Sequence, residues 1–402
     1  MVDPHKLSGA DLAFVPKRPA RPASTIAGMG SPSTALVARL RERTPEMIEA
    51  LRALVEVESP TSDLQACAAC ADTVDELARE LLGVRAERVL VDGRVHLRWR
   101  FGERARVVLI GHFDTVWPVG TLARWPFERR GGTLTGPGIF DMKAGVVQLL
   151  FALAQLDNRA GVVVLLTSDE EVGSPTSREL LEVTASGAGA ALVLEPSAHG
   201  ALKTERKGVD VYRLEVTGRA AHAGLDPETG ANAAVELAHQ LVAISVLARS
   251  ECGTTVTPSL VAAGTASNTV PAHATAHVDV RTRTREEGER VASALMALRP
   301  ITPDTALAVV KSVSVPPLER SSSAELFQRA QGLAASLGLP PLAEAAVGGG
   351  SDGSVVASFG VPTLDGLGAV GDHAHGEGEF VVVEALAERT ALVCALVDDL
   401  LG

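Results

Sequence analysis

The hydrophobic positions in the first half of the chain follow an α/β pattern. Three short apolar runs, at 107–110, 162–166 and 191–194, are continuous rather than alternating. Such runs predict strands that are buried on both faces, which is typical of a mostly parallel sheet. Between the first two runs, apolar residues recur at helical spacing over 142–156, so this segment is predicted to form a helix packed on the sheet.

At about residue 207 the pattern changes, and the first segment after it alternates strictly between apolar and polar residues. Tyr212, Leu214 and Val216 alternate with polar residues, which predicts a strand with one buried face. The segments that follow are predicted to be a helix at 231–248, strands at 256–262 and 276–281, a helix at 286–298 and a strand at 306–315. The order βαββαβ is that of a ferredoxin-like module. Because the α/β pattern resumes after Pro316-Pro317, we expect one α/β domain that is interrupted by an inserted α+β domain.

The composition argues against two kinds of partner. The chain has 402 residues, with 49 acidic and 37 basic side chains and a formal net charge of −12. It offers no surplus of positive charge for phosphates, and 3% aromatic residues are too few for base stacking. Its apolar stretches are shorter than the roughly 20 residues that cross a bilayer, and its start lacks the pattern of an export signal. We therefore expect a cytoplasmic protein without a nucleic-acid or membrane partner.

Two of the four cysteines, Cys67 and Cys70, form a C-x-x-C pair. A zinc ribbon would need a second such pair, which Cys252 and Cys394 do not form. The Ala-rich surroundings predict a helix in which both thiols share one face, so packing is the favoured interpretation.

Each predicted buried strand is followed by a histidine or by carboxylates. His112 and Asp114 follow the first run, residues 169–171 (Asp-Glu-Glu) follow the second, and Glu195 follows the third. Because ligands bind beyond the carboxyl ends of strands in open α/β sheets, we expect these side chains to lie close together. Taken singly, a solvated acidic loop would be the simpler interpretation. Converging carboxylates repel one another unless cations neutralise them, so together they predict bound divalent metal ions. Histidine and carboxylate ligands favour zinc among these metals.

Asp141 is a further candidate at this edge. It follows the glycine-rich turn at 136–138 and precedes the predicted helix. A helix N-cap would be the simpler explanation of an aspartate at this position, and a metal ligand is the alternative.

Seven segments occur together in a fixed order, which makes the set far more specific than any one of them. They are Gly-His-Phe-Asp-Thr-Val at 111–116, Gly-Pro-Gly-Ile-Phe-Asp-Met-Lys at 136–143, Ser-Asp-Glu-Glu-Val-Gly-Ser at 168–174, Leu-Glu-Pro at 194–196, Gly-Arg-Ala-Ala-His-Ala-Gly at 218–224, Asn-Thr-Val-Pro at 268–271 and Gly-Gly-Gly-Ser-Asp at 348–352. With these segments the chain resembles the di-zinc exopeptidase and deacylase family, which includes glutamate carboxypeptidases, acetylornithine deacetylases and succinyl-diaminopimelate desuccinylases. The resemblance covers nearly everything after residue 35, and the stretch from 112 to 117 looks most like the bacterial glutamate carboxypeptidases.

The resemblance implies two zinc ions per subunit, which Mn²⁺, Co²⁺ or Ni²⁺ could replace with the same ligands. The implied metal ligands are His112, Asp141, Glu171, Glu195 and His375. Asp141 would bridge the ions, Asp114 would orient the ring of His112, and Glu170 would be the general base that activates a metal-bridging water. His373 is the alternative to His375, which is favoured by its spacing from Glu379-Phe380.

The resemblance also implies a homodimer that is joined through residues 209–316. His222 would reach from one subunit into the site of the other and stabilise the oxyanion of the reaction. Asn268 and Arg281 would contact the substrate, although a surface salt bridge is an alternative role for Arg281. Arg320 is a weaker candidate of the same kind, and the glycines at 348–350 would let backbone N–H groups approach a carboxylate.

The predicted function is hydrolysis of an amide bond in a small peptide or an N-acyl-amino acid. The product would be an amino acid with a free carboxylate, as for a glutamate carboxypeptidase, and the alternative is an N-acyl-amino-acid deacylase. The expected fold is α/β: a mostly parallel sheet of the zinc-peptidase type with flanking helices, interrupted by a ferredoxin-like lid and dimerisation domain. The expected organisation is a flexible N-terminal arm at 1–32, a catalytic domain formed by 33–206 together with 317–402, and the inserted domain at 207–316.

Two rival functions are weaker. Residues 349–353 match the G-x-S-x-G pattern of serine hydrolases around Ser351, and Asp365 and a histidine follow in triad order. However, the preceding segment at 342–347 is Ala-rich and not a convincing buried strand, and a serine nucleophile leaves the carboxylates at the strand ends unexplained. A non-catalytic metal-binding dimer is disfavoured because Glu170 and the full ligand set are present.

Overall fold

The computed structural model describes residues 32–402, so the arm predicted at 1–32 lies outside the described residues except for its last position. The α-helices of the described residues are α1 (Pro32–Glu42), α2 (Thr44–Val55), α3 (Leu64–Leu82), α4 (Ala144–Leu153), α5 (Arg178–Ala185), α6 (Ala233–Ser245), α7 (Arg285–Met296), α8 (Arg320–Ser336), α9 (Asp352–Ser358) and α10 (Val383–Leu401). The strands are β1 (Glu87–Val91), β2 (Arg94–Phe101), β3 (Val107–His112), β4 (Glu128–Arg130), β5 (Thr133–Thr135), β6 (Val162–Thr167), β7 (Ala190–Val193), β8 (Leu202–Arg206), β9 (Gly208–Thr217), β10 (Thr255–Ala263), β11 (His273–Thr282), β12 (Ala306–Val315), β13 (Glu344–Val347), β14 (Thr363–Leu364), β15 (Gly371–Asp372) and β16 (Phe380–Val382).

A six-stranded sheet with the order β1-β2-β6-β3-β7-β14 carries the three predicted buried strands at its centre. The pairs β6–β3, β3–β7 and β7–β14 are parallel, and every residue of β3, β6 and β7 is buried. The prediction of a mostly parallel sheet is therefore confirmed. The antiparallel pairs β1–β2 and β2–β6 at one edge were not predicted, because β1 is largely exposed and β2 carries three arginines among its apolar residues.

Helices cover both faces of this sheet. Val107 and Leu109 of β3 belong to a core with α2, α3, α4 and α10, whereas Val108 and Ile110 belong to a core with α5 and α9. All ten residues of α4 are buried. A side chain at Gly145 would overlap the carbonyl oxygen of Leu194, so this glycine allows α4 to lie close to the end of β7.

A second, four-stranded sheet has the order β10-β11-β9-β12, and all its pairs are antiparallel. The helices α6 and α7 pack against its strands with a core of their own around Tyr212, Leu214, Val278 and Val291. The chain order β9-α6-β10-β11-α7-β12 confirms the predicted ferredoxin-like topology. The exact boundaries of the inserted domain stay a prediction.

A small sheet, ordered β15-β16-β5-β4, brings the C-terminal segment to the functional edge of the large sheet. Phe380 pairs with Thr135 across β16 and β5. This pairing places the loop between β15 and β16 beside the turn that leads to Asp141.

The remaining expectations about cysteines and membranes can be compared directly. Cys67 and Cys70 are buried and unpaired on α3, with 2% and 0% of their surfaces exposed, which confirms the packing interpretation. Among the described residues, none of the helices has the length and apolar character required to cross a membrane.

Candidate metal centre

Four carboxylates and one histidine meet where the central strands end. His112 is the last residue of β3, Glu170 and Glu171 lie just after β6, Glu195 lies just after β7, and Asp141 reaches in from the turn before α4. The Nε2 atom of His112 lies 3.3 Å from Oδ1 of Asp141, 3.5 Å from Oε1 of Glu195 and 3.9 Å from Oε2 of Glu170. The convergence expected at this sheet edge is therefore present in the structure.

The loop between β15 and β16 adds a second histidine. Nε2 of His375 lies 2.9 Å from Oε2 of Glu171 and 3.4 Å from Oδ2 of Asp141. The ring of His373 instead lies 6.2 Å from that of Phe380, centroid to centroid. Of the two candidate histidines, the structure brings His375 to the cluster, as the spacing favours.

Asp141 joins the two halves of this cluster. Its Oδ1 faces His112 and its Oδ2 faces His375. Its backbone angles, φ −113° and ψ 95°, are not helical, and α4 begins only at Ala144 with Lys143 as its N-cap. The simpler interpretation of Asp141 as a helix cap is therefore wrong.

Three buried polar atoms of the cluster have no hydrogen-bond partner among the described residues. They are Nε2 of His112, Oδ1 of Asp141 and Oε1 of Glu171. More than nine in ten buried polar groups in proteins are hydrogen-bonded, so three exceptions at one place require a reason. Ligand atoms from His112, Glu170 and Glu195, and from His112, Asp141 and Glu171, form two groups that each lie within 4.8 Å. Imidazole and carboxylate donors at this spacing fit divalent cations.

The carboxylates differ in how readily they hold a proton. Burial and the charge of Glu195 raise the pKa of Glu170 well above its usual value. The pKa of Glu195 is lowered despite burial, because His112 and Arg206 stabilise its charge. Neighbouring carboxylates with opposed pKa shifts are typical of sites that divide acid and base roles.

Asp114 lies behind His112. Its carbonyl oxygen lies 3.0 Å, and its Oδ1 atom 3.4 Å, from Nδ1 of the His112 ring. Oδ2 of Asp114 accepts hydrogen bonds from Thr61 Oγ1 at 2.7 Å and from the N–H of Glu171 at 3.3 Å. Asp114 thus contacts both a candidate ligand and the loop that carries two other site residues, which suits the orienting role that the resemblance implies.

Glu379 is a site residue that sequence reasoning used only as a spacing marker. Its side chain is completely buried. It accepts hydrogen bonds from the N–H groups of Gly138, Phe140 and Asp141 at 3.0, 2.6 and 2.8 Å, and from Nε1 of Trp117 at 3.0 Å. Glu379 therefore ties the His375 loop to the turn that holds Asp141.

The comparisons with known proteins agree with this site. The family model described as Peptidase family M20/M25/M40 matches residues 108–399. The chain belongs to this family. The predicted family is thereby confirmed, and so is the prediction of a hydrolase of the metallopeptidase and amidohydrolase type.

Two curated relatives and one solved structure illustrate the similarity of this M20/M25/M40 hydrolase to known proteins. Carboxypeptidase G2 of Pseudomonas sp. (strain RS-16) is 29% identical over 377 residues, covering 89% of this chain and 90% of the relative. Succinyl-diaminopimelate desuccinylase of Wolinella succinogenes is 29% identical over 313 residues, covering 73% of this chain and 84% of that one. Aminopeptidase PepT from Bacillus cereus has the same fold, with a TM-score of 0.68 at 21% identity, covering 90% of this chain and 99% of that one.

The M20/M25/M40 hydrolase contains a buried ion-pair network beside Glu195 that its sequence did not reveal. Arg206 places Nη2 at 3.1 Å from Oε2 of Glu195 and binds Asp365 through two bonds of 2.8 and 3.0 Å. Ser351 donates its hydroxyl to Oδ2 of Asp365 at 2.7 Å. Among the described residues, no histidine accepts from Ser351, which argues against the serine-hydrolase alternative.

The predicted lid residues lie together but apart from the metal cluster. His222 and Asn268 are both at least partly exposed, and the N–H of Ala223 donates to the carbonyl of Asn268 at 2.9 Å. Within residues 32–402, neither side chain forms a hydrogen bond or an ion pair with the candidate metal ligands.

The two candidate arginines already have carboxylate partners. Arg281 binds Asp279 through bonds of 2.9 Å, and its Nη1 donates to the carbonyl of Gly348 at 3.3 Å. The alternative salt bridge is thus present, yet Arg281 also contacts the glycine turn at 348–350. Arg320 pairs with Glu344 at 2.8 Å on the surface.

Proposed function

We propose that this M20/M25/M40 hydrolase cleaves an amide bond and releases an amino acid with a free carboxylate, in the manner of a glutamate carboxypeptidase. The observation that carries the proposal is the buried cluster. In it, one ligand atom each of His112 and Asp141 has no hydrogen-bond partner among residues 32–402, and both lie beside the carboxylate of Glu170, whose pKa is raised. The similarity to carboxypeptidase G2 over 89% of the chain supports a reaction of the carboxypeptidase type.

We propose that two zinc ions are held by the five candidate ligands. These are His112, Asp141, Glu171, Glu195 and His375. Mn²⁺, Co²⁺ or Ni²⁺ also suit these donors. When bound, the ions supply Lewis acidity for the amide carbonyl and lower the pKa of water.

Glu170 is proposed as the general base. Its Oε2 lies 3.9 Å from Nε2 of His112, which is farther than the carboxylate oxygens of Asp141 and Glu195 lie from the same nitrogen. Burial favours its protonated form, and a carboxylate of raised pKa takes a proton from attacking water more readily. The same proton can then pass to the leaving amine, while Asp114 keeps the ring of His112 in place.

The inserted domain is proposed to join two subunits through residues 209–316. The exposed positions of His222 and Asn268 leave both free to approach a partner's site. The edge strand β10 exposes Leu260 and Val261 at 65% and 57%, and an apolar edge of this kind is typical of pairing surfaces. Arg281 and the glycines at 348–350 would then bind the carboxylate of the released amino acid. The four cysteines are unpaired, which suits the proposed cytoplasmic location.

The second candidate function is an N-acyl-amino-acid deacylase. It is favoured by the similarity to succinyl-diaminopimelate desuccinylase over 73% of the chain. Both functions leave a free amino acid, and they differ in the part of the substrate that decides turnover: the released amino acid in the carboxypeptidase, and the acetyl or succinyl group in the deacylase.

A substrate panel tests the proposal. Dipeptides and N-acyl-glutamates would be compared with acetyl- and succinyl-amino acids, each with a matched amide that blocks the terminal carboxylate. We expect turnover of glutamate-releasing substrates and loss of turnover when that carboxylate is blocked. Preference for acetyl or succinyl groups whatever the amino acid would favour the deacylase instead, and indifference to the terminal carboxylate would contradict both.

A further inference from the structure

A cavity of about 340 Å³ separates two segments that lead to the candidate metal centre. One wall is formed by residues 199–201, which follow Glu195, and another by Val370, which precedes the His375 loop. The remaining walls are residues 339–343 and one face of α10. A volume of this size is in the range of small-molecule sites, which are mostly apolar with a few polar groups.

Arg389 on α10 lines this cavity, and none of the described carboxylates forms an ion pair with it. The residue is only 6% exposed. Its Nη2 donates to the carbonyl of Gly200, whereas its Nη1 has no hydrogen-bond partner among the described residues. Burial lowers the pKa of Arg389 to about 10, because a buried charge without a counter-ion is costly.

The acid on the cavity wall already has an ion-pair partner. Glu388 accepts a hydrogen bond from Nη2 of Arg41 at 2.7 Å, and its charge offsets only part of the effect of burial on the pKa of Arg389. The neighbouring Asp372 lies 3.6 Å from Nδ1 of His199 at the surface. Within residues 32–402 the guanidinium of Arg389 therefore has no ion-pair partner, and it lies beside the apolar side chains of Leu339, Leu342 and Leu392.

We propose that this cavity binds a small organic carboxylate with an apolar body, separately from the metal centre. Arg389 would receive the carboxylate, since a guanidinium forms strong charge-assisted hydrogen bonds with this group. Leu339, Leu342 and Leu392 would contact the apolar body. The ligand would bridge the segments that carry Glu195 and His375.

Calorimetric titration of the metal-loaded full-length protein tests the site. The probes are hexanoate and benzoate, compared with hexanol, benzyl alcohol and inorganic phosphate. We expect the carboxylates to bind more tightly than the alcohols or phosphate. Arg389→Met keeps the bulk of the side chain and removes its charge, so it should weaken carboxylate binding about tenfold or more. The matched control is Arg329→Met on α8, whose arginine pairs with Asp399 at the surface.

A second variant distinguishes loss of the binding site from misfolding of Arg389→Met. Ala385 lines the same cavity, and Ala385→Leu would fill it while leaving Arg389 intact. This variant should also lose carboxylate binding, with unchanged circular dichroism. Full hexanoate affinity in both Arg389→Met and Ala385→Leu would overturn the proposal, and so would failure of both carboxylates to bind the wild type. Binding of phosphate as tight as that of hexanoate and benzoate would refute the inference that the ligand has an apolar body.

Discussion

The replacement Glu379→Gln probes how the metal centre is held. Oε1 of Glu379 accepts from the N–H groups of Phe140 and Asp141, and Oε2 accepts from the N–H of Gly138 and Nε1 of Trp117. Glutamine has one oxygen and one NH₂ group, so two of these four bonds are lost whichever way the amide points. Burial raises the pKa of Glu379 to about 7, so the energy range runs from a neutral to a charged acceptor. At about 0.5–3 kcal/mol for each hydrogen bond, about 1–6 kcal/mol of stabilisation leaves the Asp141 turn.

Part of this loss should appear as weaker metal binding, because the turn fixes the carboxylate of Asp141. Loss of a residue that orients a ligand typically costs about 10- to 100-fold in metal affinity, and we expect Glu379→Gln to fall in that range. Chelator competition on the purified protein measures the affinity, and thermal unfolding measures the accompanying destabilisation. Glu377→Gln is the matched control, since Glu377 lies in the same loop with 77% of its side chain exposed. Wild-type metal affinity in Glu379→Gln would refute the reasoning.

Three further predictions concern the reaction itself. Chelators should abolish hydrolysis and added Zn²⁺ should restore it, as followed by product release; chelator-resistant activity would contradict the metal centre. Glu170→Gln should lower kcat by about 100-fold or more with bound metal retained, measured by steady-state kinetics and metal analysis, and a rate equal to wild type would exclude Glu170 as base. The dimer of His222→Ala should be inactive. A heterodimer of one His222→Ala subunit and one Glu170→Gln subunit should regain activity, because the site of the first subunit then has its own Glu170 and receives His222 from the second. Absence of activity in the purified heterodimer would contradict the proposal that His222 acts across the interface.

Residues that follow buried strands were the portion of the site that the sequence could predict. The continuous apolar run before His112 predicts a central strand, and a parallel sheet brings the ends of such strands to one edge. The positions of Glu170 and Glu195 follow from the same reasoning. Asp141 is a candidate from its position after the glycine-rich turn, but a helix cap was the simpler explanation, and its role as a ligand needed the resemblance to a family. His375 also needed the resemblance, because it lies in a loop between two short strands.

The edge hairpin β1–β2 shows where periodicity is insufficient. β2 buries His96, Leu97 and Trp99, but arginines stand at positions between and beside them. A strand that is half-buried at the edge of a sheet gives a weaker pattern than the central strands, whose residues are all buried. The central strands were therefore sufficient to predict the fold class, whereas the strands at the edge of the sheet could not be predicted from their sequence pattern.

The supporting network is set by contacts between distant segments of the chain. Glu379 and Asp141 are 238 residues apart, and Arg206 and Asp365 are 159 apart. The buried Glu379, which accepts four hydrogen bonds, and the exposed Glu377 each follow a glycine within the same short loop. What distinguishes them is the pairing of β16 with β5, which places the carboxylate of Glu379 against the open N–H groups of the Asp141 turn. The same pairing places His375 beside Glu171. The contact between β16 and β5 therefore positions the candidate ligand His375 and also Glu379, which holds the turn of the second ligand Asp141.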